Sequence, residues 1–252
     1  MGLASTTLTR VTKDDANRFM RDFEHLGNVG LGVWHYGLLM DGALQSVLSV
    51  GVPCSSRGRG ALAATAERND ARLLQLCRGG TSTTAPRNTG SRVIALMLEA
   101  VESEFGPSLL AAYADPHFGE VGTIYQACNA VHTGWTDPKG QANYVIQGRR
   151  MSGWTVRKKF GTRDVARLRE IDPQLVVERL RPKMRYVLVA ASGTPRRALM
   201  RDLEPLRRPY PKREDLGIRS MMVGIGARSA AGLPDDVVPA HVGALGLGFA
   251  VS

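Results

Sequence analysis

Apolar and polar positions along the chain follow two periods, two residues and about 3.6. The switches between them predict a mixed α/β domain. Leu31–Met40 is an apolar-rich run that stops at Asp41-Gly42, a strong hairpin dipeptide, and Ala43–Val52 then alternates around Leu44, Val47, Leu48 and Val50. Arg72–Arg78 reads as a third strand. A polar, glycine-containing loop follows it and opens a helix, capped at Asn88 or Thr89, with Val93, Leu96, Met97, Ala100 and Val101 on one side. Ser108–Ala114 is an apolar run with the length of a buried strand, and Asp115-Pro116 ends it, because proline brings no donor to a ladder. A glycine-rich turn at Gly119 and Gly122 leads into a helical pattern over Thr123–Ala130.

The remaining pattern is weaker. Residues 5–18 form a polar lead-in, with Thr9–Asp14 capping a short helix through Phe23. Residues 55–72 read as a loop or a short exposed helix, and Asp137–Gly140 as a turn. Asn143–Gln147 reads as a strand, Thr162–Ile171 as a short helix, and Lys183–Ala190 as the closing strand of the sheet. Beyond Ser192 the chain is Arg/Pro-rich and then Gly/Ala-rich. Pro195, Pro205, Pro209 and Pro211 interrupt any helix there. The expected organisation is therefore one domain over residues 1–191 and a flexible tail over 192–252.

Three places carry candidate chemistry. His35 and Tyr36 are neighbours in a strand and point to opposite faces. Arg78 ends the third strand, just before the loop in which Asn88, Gly90 and Ser91 open a helix; free N–H groups at such a helix start can hold a phosphate. Asp115 stands where a strand hands over to a helix whose period puts Tyr125 and Asn129 on one face, and sites in open α/β sheets gather at such strand ends. Tyr36, Tyr125, Trp34 and Trp135 are candidate stacking faces.

Charge adds a partner. Residues 1–148 hold 12 Lys+Arg against 13 Asp+Glu, whereas residues 149–219 hold 20 against 8, a balance of +12. A near-neutral body with one cationic segment suits a polyanion, nucleic acid first. Arg157, Lys158, Lys159, Lys183 and Arg185 are the candidate DNA contacts. Cys54, Cys77 and Cys128 lack metal-ligand spacing and read as reduced thiols. With no secretory pattern at the N-terminus and no apolar run near ~18 residues, the expected setting is the cytoplasm and no membrane.

The strand–strand–strand–helix–strand–helix–strand order is that of the GNAT acyltransferase fold. More narrowly, the sequence resembles the Mom family of bacteriophage DNA-modification proteins, placed in that superfamily. The resemblance rests on His35-Tyr36, Leu76-Cys77-Arg78, Asn88 with Ser91-Arg92, Asp115, the run from Gly122 through Ile124-Tyr125-Gln126-Ala127 to Asn129, and Lys183 with Arg185-Tyr186. It covers roughly residues 20–190. It implies transfer of a carbamoylmethyl group to adenine N6 in double-stranded DNA, which hides phage DNA from host restriction. It also implies His35, Tyr36, Arg78, Asp115 and Tyr125 as site residues, with an acyl-CoA-type or other small-molecule donor. Ala85–Arg92 keeps only part of the usual GNAT acyl-CoA loop.

The chemistry that such a reaction needs can be stated independently. Adenine N6 is a weak nucleophile because its lone pair is delocalised, so a proton must be removed as the new bond forms. Asp115 or His35 would serve as base and Tyr125 as proton donor or relay. Arg78 would bind a donor or DNA phosphate. A base inside a duplex must also be flipped out to be reached. Two alternatives stand beside this reading: a GNAT N-acetyltransferase acting on a small amine or protein, and a basic DNA-binding protein without catalysis.

Overall fold

A computed structural model of the chain describes residues 6–24, 26–53, 60–136 and 142–214. Its centre is a seven-stranded sheet. The strands are β1 (Thr6–Arg10), β2 (Trp34–Met40), β3 (Ala43–Gly51), β4 (Arg72–Thr81), β5 (Ser108–Ala114), β6 (Val131–Trp135) and β10 (Met184–Ala190). They lie in the order β1-β2-β3-β4-β5-β10-β6. All neighbours are antiparallel except β4 and β5. The parallel pair requires a crossover, and α3 (Thr89–Phe105) supplies it. Both faces of the sheet are covered. On one, Val93, Ile94, Met97 and Val101 of α3 pack on Tyr36, Leu38, Leu48, Leu76, Leu110, Ala112, Tyr186 and Leu188. On the other, α1 (Lys13–Phe23) covers Val47, and α2 (Gly60–Arg68) and α7 (Gly193–Leu203) cover Leu109, Ala111, Val187 and Val189.

A second unit follows β6. The strands β7 (Ala142–Ile146), β8 (Arg149–Ser152) and β9 (Val176–Arg179) form a three-stranded sheet in the order β8-β7-β9. The helices α5 (Gly153–Phe160) and α6 (Val165–Ile171) close a small core of Tyr144, Ile146, Val156, Leu168 and Leu175 over it.

The mixed α/β class and the GNAT-like order of elements are as expected, and the differences are local. The polar lead-in contains β1, and residues 131–135 form β6. The expected helix to Ala130 is the shorter α4 (Thr123–Ala127). The segment after Ser192, expected to be a flexible tail, begins with α7. Its Leu199 and Leu203 are fully buried, and a 3-10 turn at Glu204–Leu206 follows. Pro195 does not break α7 because it lies in the first turn, where the missing N–H would have had no helical partner. From there residues 207–211 run past β6. The Arg208 N–H donates to His132 O (2.8 Å) and the Tyr210 hydroxyl to Ala130 O (2.7 Å). His132 Nδ1 meets Pro209 O at 2.7 Å. The remainder of the expected tail, from residue 215, lies outside the described residues, as do Cys54 and the turn expected at Asp137–Gly140.

Candidate functional site

The parallel strands part at their C-terminal ends. They pair from Arg72 opposite Ser108 to Gln75 opposite Ala111; β4 continues to Thr81 and β5 to Ala114 without further pairing between them. The opening is bordered by Arg78 on β4, the start of α3, Asp115 at the end of β5, and α4. Ligands in open α/β sheets bind in such crevices.

Asp115 is buried, 7% exposed, and its Oδ2 lies 2.8 Å from Lys183 Nζ. The antiparallel register of β5 and β10, with Ala114 opposite Met184, is what brings these two residues together. The Asp115 N–H donates to Glu120 Oε2 (2.9 Å), and the Asp115 carbonyl accepts from the N–H groups of Phe118 (3.0 Å) and Glu120 (3.2 Å). The turn after β5 is thereby folded back on the backbone of Asp115.

Tyr125 stands on α4 beside Tyr186, with ring centroids 5.4 Å apart. Burial pushes the Tyr125 phenol well above the ordinary tyrosine range, Glu120 adds to the rise, and the Arg78 guanidinium opposes it. A phenol so held keeps its proton and acts as a donor. Cys128, raised to about 11 by burial, points its Sγ at Ser91 O (3.7 Å), which ties α4 to the first turn of α3. Gly122 starts α4 at φ 70, and a Cβ there would come within 2.4 Å of the Tyr186 ring. Glycine is required on both counts. The Gln126 amide donates to Val121 O, the Tyr186 hydroxyl and Pro211 O, binding α4 to β10 and to the C-terminal segment.

The start of α3 lacks a side-chain cap. Asn88 is in the left-handed region at φ 67 and makes no capping hydrogen bond, so the N–H groups of Gly90 and Ser91 point out of the helix end. Arg78 donates from one Nη to Cys77 O (2.8 Å), while its buried Nε has no hydrogen-bond partner among the described residues. An unsatisfied guanidinium donor and an uncapped helix start both fit an anionic group.

His35 lies away from Asp115 but in register with Arg78. His35 pairs with Ser49 across β2 and β3, and Ser49 with Arg78 across β3 and β4, which puts His35 and Arg78 about 10 Å apart at ordinary strand spacing. His35 Nδ1 meets Ser49 Oγ at 2.9 Å, both residues buried, and Gly32 closes over them. Burial lowers the His35 pKa, and Arg10 and Lys13 lower it further, so the ring is neutral at pH 7. Arg10, Val11, Lys13, Gly32 and Val33 form with it an open groove of about 410 Å³. Ser49 had no motif to mark it in the sequence, only its strand period.

Tyr36 does not join this group. Its hydroxyl donates to Glu104 Oε2 (3.2 Å) in the last turn of α3, and the Arg10 guanidinium, itself paired with Glu104, lies 4.5 Å over its ring. Burial raises this phenol to about 12. Ser91, which Cys128 meets, and Glu104 are thirteen residues apart on α3, roughly 20 Å at 1.5 Å per residue, so Tyr36 and the end of α4 contact opposite ends of that helix. Asn129 lies past the end of α4, in the left-handed region at φ 55, and is exposed.

The basic residues divide by role. Arg157, Lys158 and Lys159 are exposed on the last turn of α5, with Lys158 Nζ 5.2 Å from the Trp154 ring. Lys183 is engaged with Asp115 instead. Arg185 donates from Nε to Thr133 Oγ1 (2.8 Å) and from Nη to Thr133 O (3.3 Å), which ties β10 to β6. Among the described residues no cluster of His, Cys, Asp and Glu could hold a metal, and no helix is long and apolar enough to cross a membrane.

Fold and site together define a mixed α/β domain of GNAT-like element order, with the Asp115–Lys183 pair at the end of β5 and Tyr125 on α4 near the opening of the parallel β4–β5 pair. The sequence matches the model of the Mom protein family over residues 5–212, and the chain belongs to that family. Similar solved structures include a Drosophila melanogaster polyamine N-acetyltransferase (9% identity, 73% of this chain and 99% of that one, TM-score 0.40). Another is a spermidine N-acetyltransferase from Vibrio cholerae (10% identity, 74% and 95%, TM-score 0.38). At these scores the superpositions add nothing to the strand order read directly from the sheet. No curated protein matches the sequence.

Proposed function

We propose that the chain is a DNA-modification enzyme that places a carbamoylmethyl group on N6 of adenine, in a phage setting where the altered base escapes host restriction. Membership of the Mom family over residues 5–212 is the observation that carries this reading, and the Asp115–Lys183 pair at the open end of β4 and β5 supports it. In the reaction the N6 nitrogen forms a bond to the CH₂ carbon of the donor. The bond from that carbon to its leaving group breaks, the leaving group departs with the electron pair, and one N6 proton passes to a base. Asp115, oriented by Lys183, accepts from the exocyclic amine and takes that proton. His35, neutral at pH 7, is the second candidate base, approached from the groove of Arg10 and Lys13. Tyr125 keeps its proton and donates a hydrogen bond to charge that develops on the donor.

Arg78, with Asn88, Gly90 and Ser91 at the start of α3, would hold the anionic part of the donor; an acyl-CoA-type carrier would meet them through its phosphates. Arg157, Lys158 and Lys159 would contact the backbone of duplex DNA, from which the adenine is flipped. The test is mass spectrometry of nucleosides from the DNA of cells expressing the full chain. A modified deoxyadenosine that disappears with Asp115→Ala supports the reading. Unmodified DNA from cells holding folded protein refutes it.

A further inference from the structure

Three of the aromatic residues that the sequence offers for stacking are engaged inside the central domain. Trp34 packs its ring 4.8 Å from Phe105, Tyr36 is held by Glu104 and Arg10, and Tyr125 packs on Tyr186. Trp154, in the first turn of α5, is the reverse case. At 67% it is the most exposed large apolar side chain among the described residues. The unit that carries it has its own core of Tyr144, Ile146, Val156, Leu168 and Leu175, to which the ring does not belong. Val156 and Phe160 turn α5 toward that core, so the helix period places Trp154 and Lys158 on the opposite side, with Arg157 next to the ring. Lys158 Nζ lies 5.2 Å over the ring, and Arg163 Cδ comes within 3.7 Å of where a Gly153 Cβ would stand. Residues 142–181 hold 10 Lys+Arg against 4 Asp+Glu, a balance of +6, while the other 212 residues hold 23 against 19, a balance of +4. Three of the four carboxylates in this unit are engaged elsewhere. Asp164 accepts from the Arg167 N–H, Asp172 accepts from the N–H groups of Gln147 and Gln174, and Glu178 meets Arg150 at 2.6 Å. Arg157, Lys158 and Arg163 form no ion pair among the described residues. An exposed indole thus stands among cations that have no counter-charge of their own.

We propose that residues 142–181 form a docking module for unpaired DNA, in which the Trp154 ring stacks on a base and Arg157, Lys158 and Arg163 hold the phosphates beside it. The proposal rests on DNA as the partner in the reading above and adds an aromatic contact that charge alone does not supply. An acidic peptide would satisfy the cations but leave the indole in water. A nucleic-acid strand presents phosphates and flat π faces together, and every base has a π face, so stacking is tolerant of sequence. Bases inside a duplex have no free face, whereas a strand opened by base extrusion does. A stacking ring on a different element from the Asp115–Lys183 pair gives such an opened strand a second hold.

The experiment measures binding of the full chain to labelled oligo(dT), with Trp154→Ala, Trp154→Phe and Arg163→Gln beside wild type. Circular dichroism verifies the fold of each. Trp154→Ala is expected to lose roughly 5- to 150-fold in affinity at unchanged salt dependence, and Trp154→Phe to recover most of it. Arg163→Gln should flatten the salt dependence by up to ~0.7 log units, the slope for one phosphate of a single strand. Stacking also quenches indole emission, so oligo(dT) should quench wild type more than Trp154→Phe. A folded Trp154→Ala that binds oligo(dT) as wild type does would overturn the module. Poly-L-glutamate that binds as tightly as oligo(dT), and loses as much affinity in Trp154→Ala, would reassign the surface to an acidic protein. A wild-type dimer that dissociates in Trp154→Ala, with oligo(dT) affinity unchanged, would reassign it to self-association; either result overturns the proposal. If Trp154→Ala binds as wild type does and the wild type modifies adenine, the module is wrong and the adenine reading stands. If the wild type leaves adenine unmodified while Trp154→Ala loses oligo(dT) affinity, the module stands and the adenine reading falls.

Discussion

Leu199→Ala is the substitution that best tests where the folded domain ends. Leu199 is fully buried and shares a cluster with Leu62, Ala66, Leu109, Ala111, Val131, Val187, Val189 and Leu203. The change removes three carbon atoms, about 2.4 kcal/mol at ~0.8 kcal/mol per buried methylene, and the cavity left behind raises the cost to about 2–5 kcal/mol. Apart from Leu203 of α7 itself, the neighbours belong to α2, β5, β6 and β10, so collapse into the cavity would need several elements to move at once. A value of about 3 kcal/mol is expected. Urea unfolding followed by circular dichroism reads it: with a slope on the order of 2 kcal/mol/M, the midpoint falls by about 1–2 M at unchanged slope. Arg197→Ala on the exposed side of α7 is the control and should stay within about 0.5 kcal/mol of wild type. Equal midpoints for Leu199→Ala and wild type would show that α7 does not contribute to the core, and the flexible-tail expectation would regain its ground.

Three further outcomes are expected. Asp115→Ala should remain folded and lose adenine modification, and Lys183→Met should reduce it by misorienting the carboxylate; nucleoside mass spectrometry checks both, and full activity in either removes that residue from the mechanism. Replacing Arg157, Lys158 and Lys159 with glutamine should weaken duplex binding and flatten its salt dependence by up to ~0.9 log units for each phosphate no longer neutralised; an unchanged slope would make this cluster a solvated face. His35 titrates below its ordinary value of 6.5 in the folded chain, so the unfolded chain takes up the proton first as pH falls. Stability from this group is complete above pH 6.5 and declines as pH drops from there toward the folded value. Unfolding midpoints at about pH 7.5 and about pH 5 should therefore differ less in His35→Gln than in wild type, and equal differences would count against the burial.

The sequence displayed the centre of the sheet better than its margins. β2, β3, β4, β5 and β10 could be read because their apolar runs are bounded by Asp41-Gly42, Asp115-Pro116 and similar turn residues. β1 reads Thr-Thr-Leu-Thr-Arg, pairs on one side only and keeps polar residues, so alternation was faint. In α5 only Val156 is buried, and its charge run hid the helix. Pro195 hides α7 in the sequence, because proline breaks a helix interior but is accommodated in the first turn, where it stands here. The site was legible as separate residues. The Asp115–Lys183 pair depends on a register between strands far apart in the chain, and no local pattern encodes that. The separation of Tyr36 from Tyr125 depends likewise on the path of α3 across the sheet.

The position of β10 between β5 and β6 has a consequence for how the protein is made. Met184 lies opposite Ala114 and Ala190 opposite Ser108, separations of 70 and 82 residues along the chain. During synthesis β5 and β6 wait with unpaired edges until the whole β7–β9 unit has emerged. The strand that joins them is then inserted between two that are already made. Closure of such distant pairs is slow, and an open edge bearing Leu109 and Leu110 is a template for aggregation in the meantime. The late-arriving strand also carries Lys183 at its entrance, so the Asp115–Lys183 pair is assembled in the same event that seals the sheet.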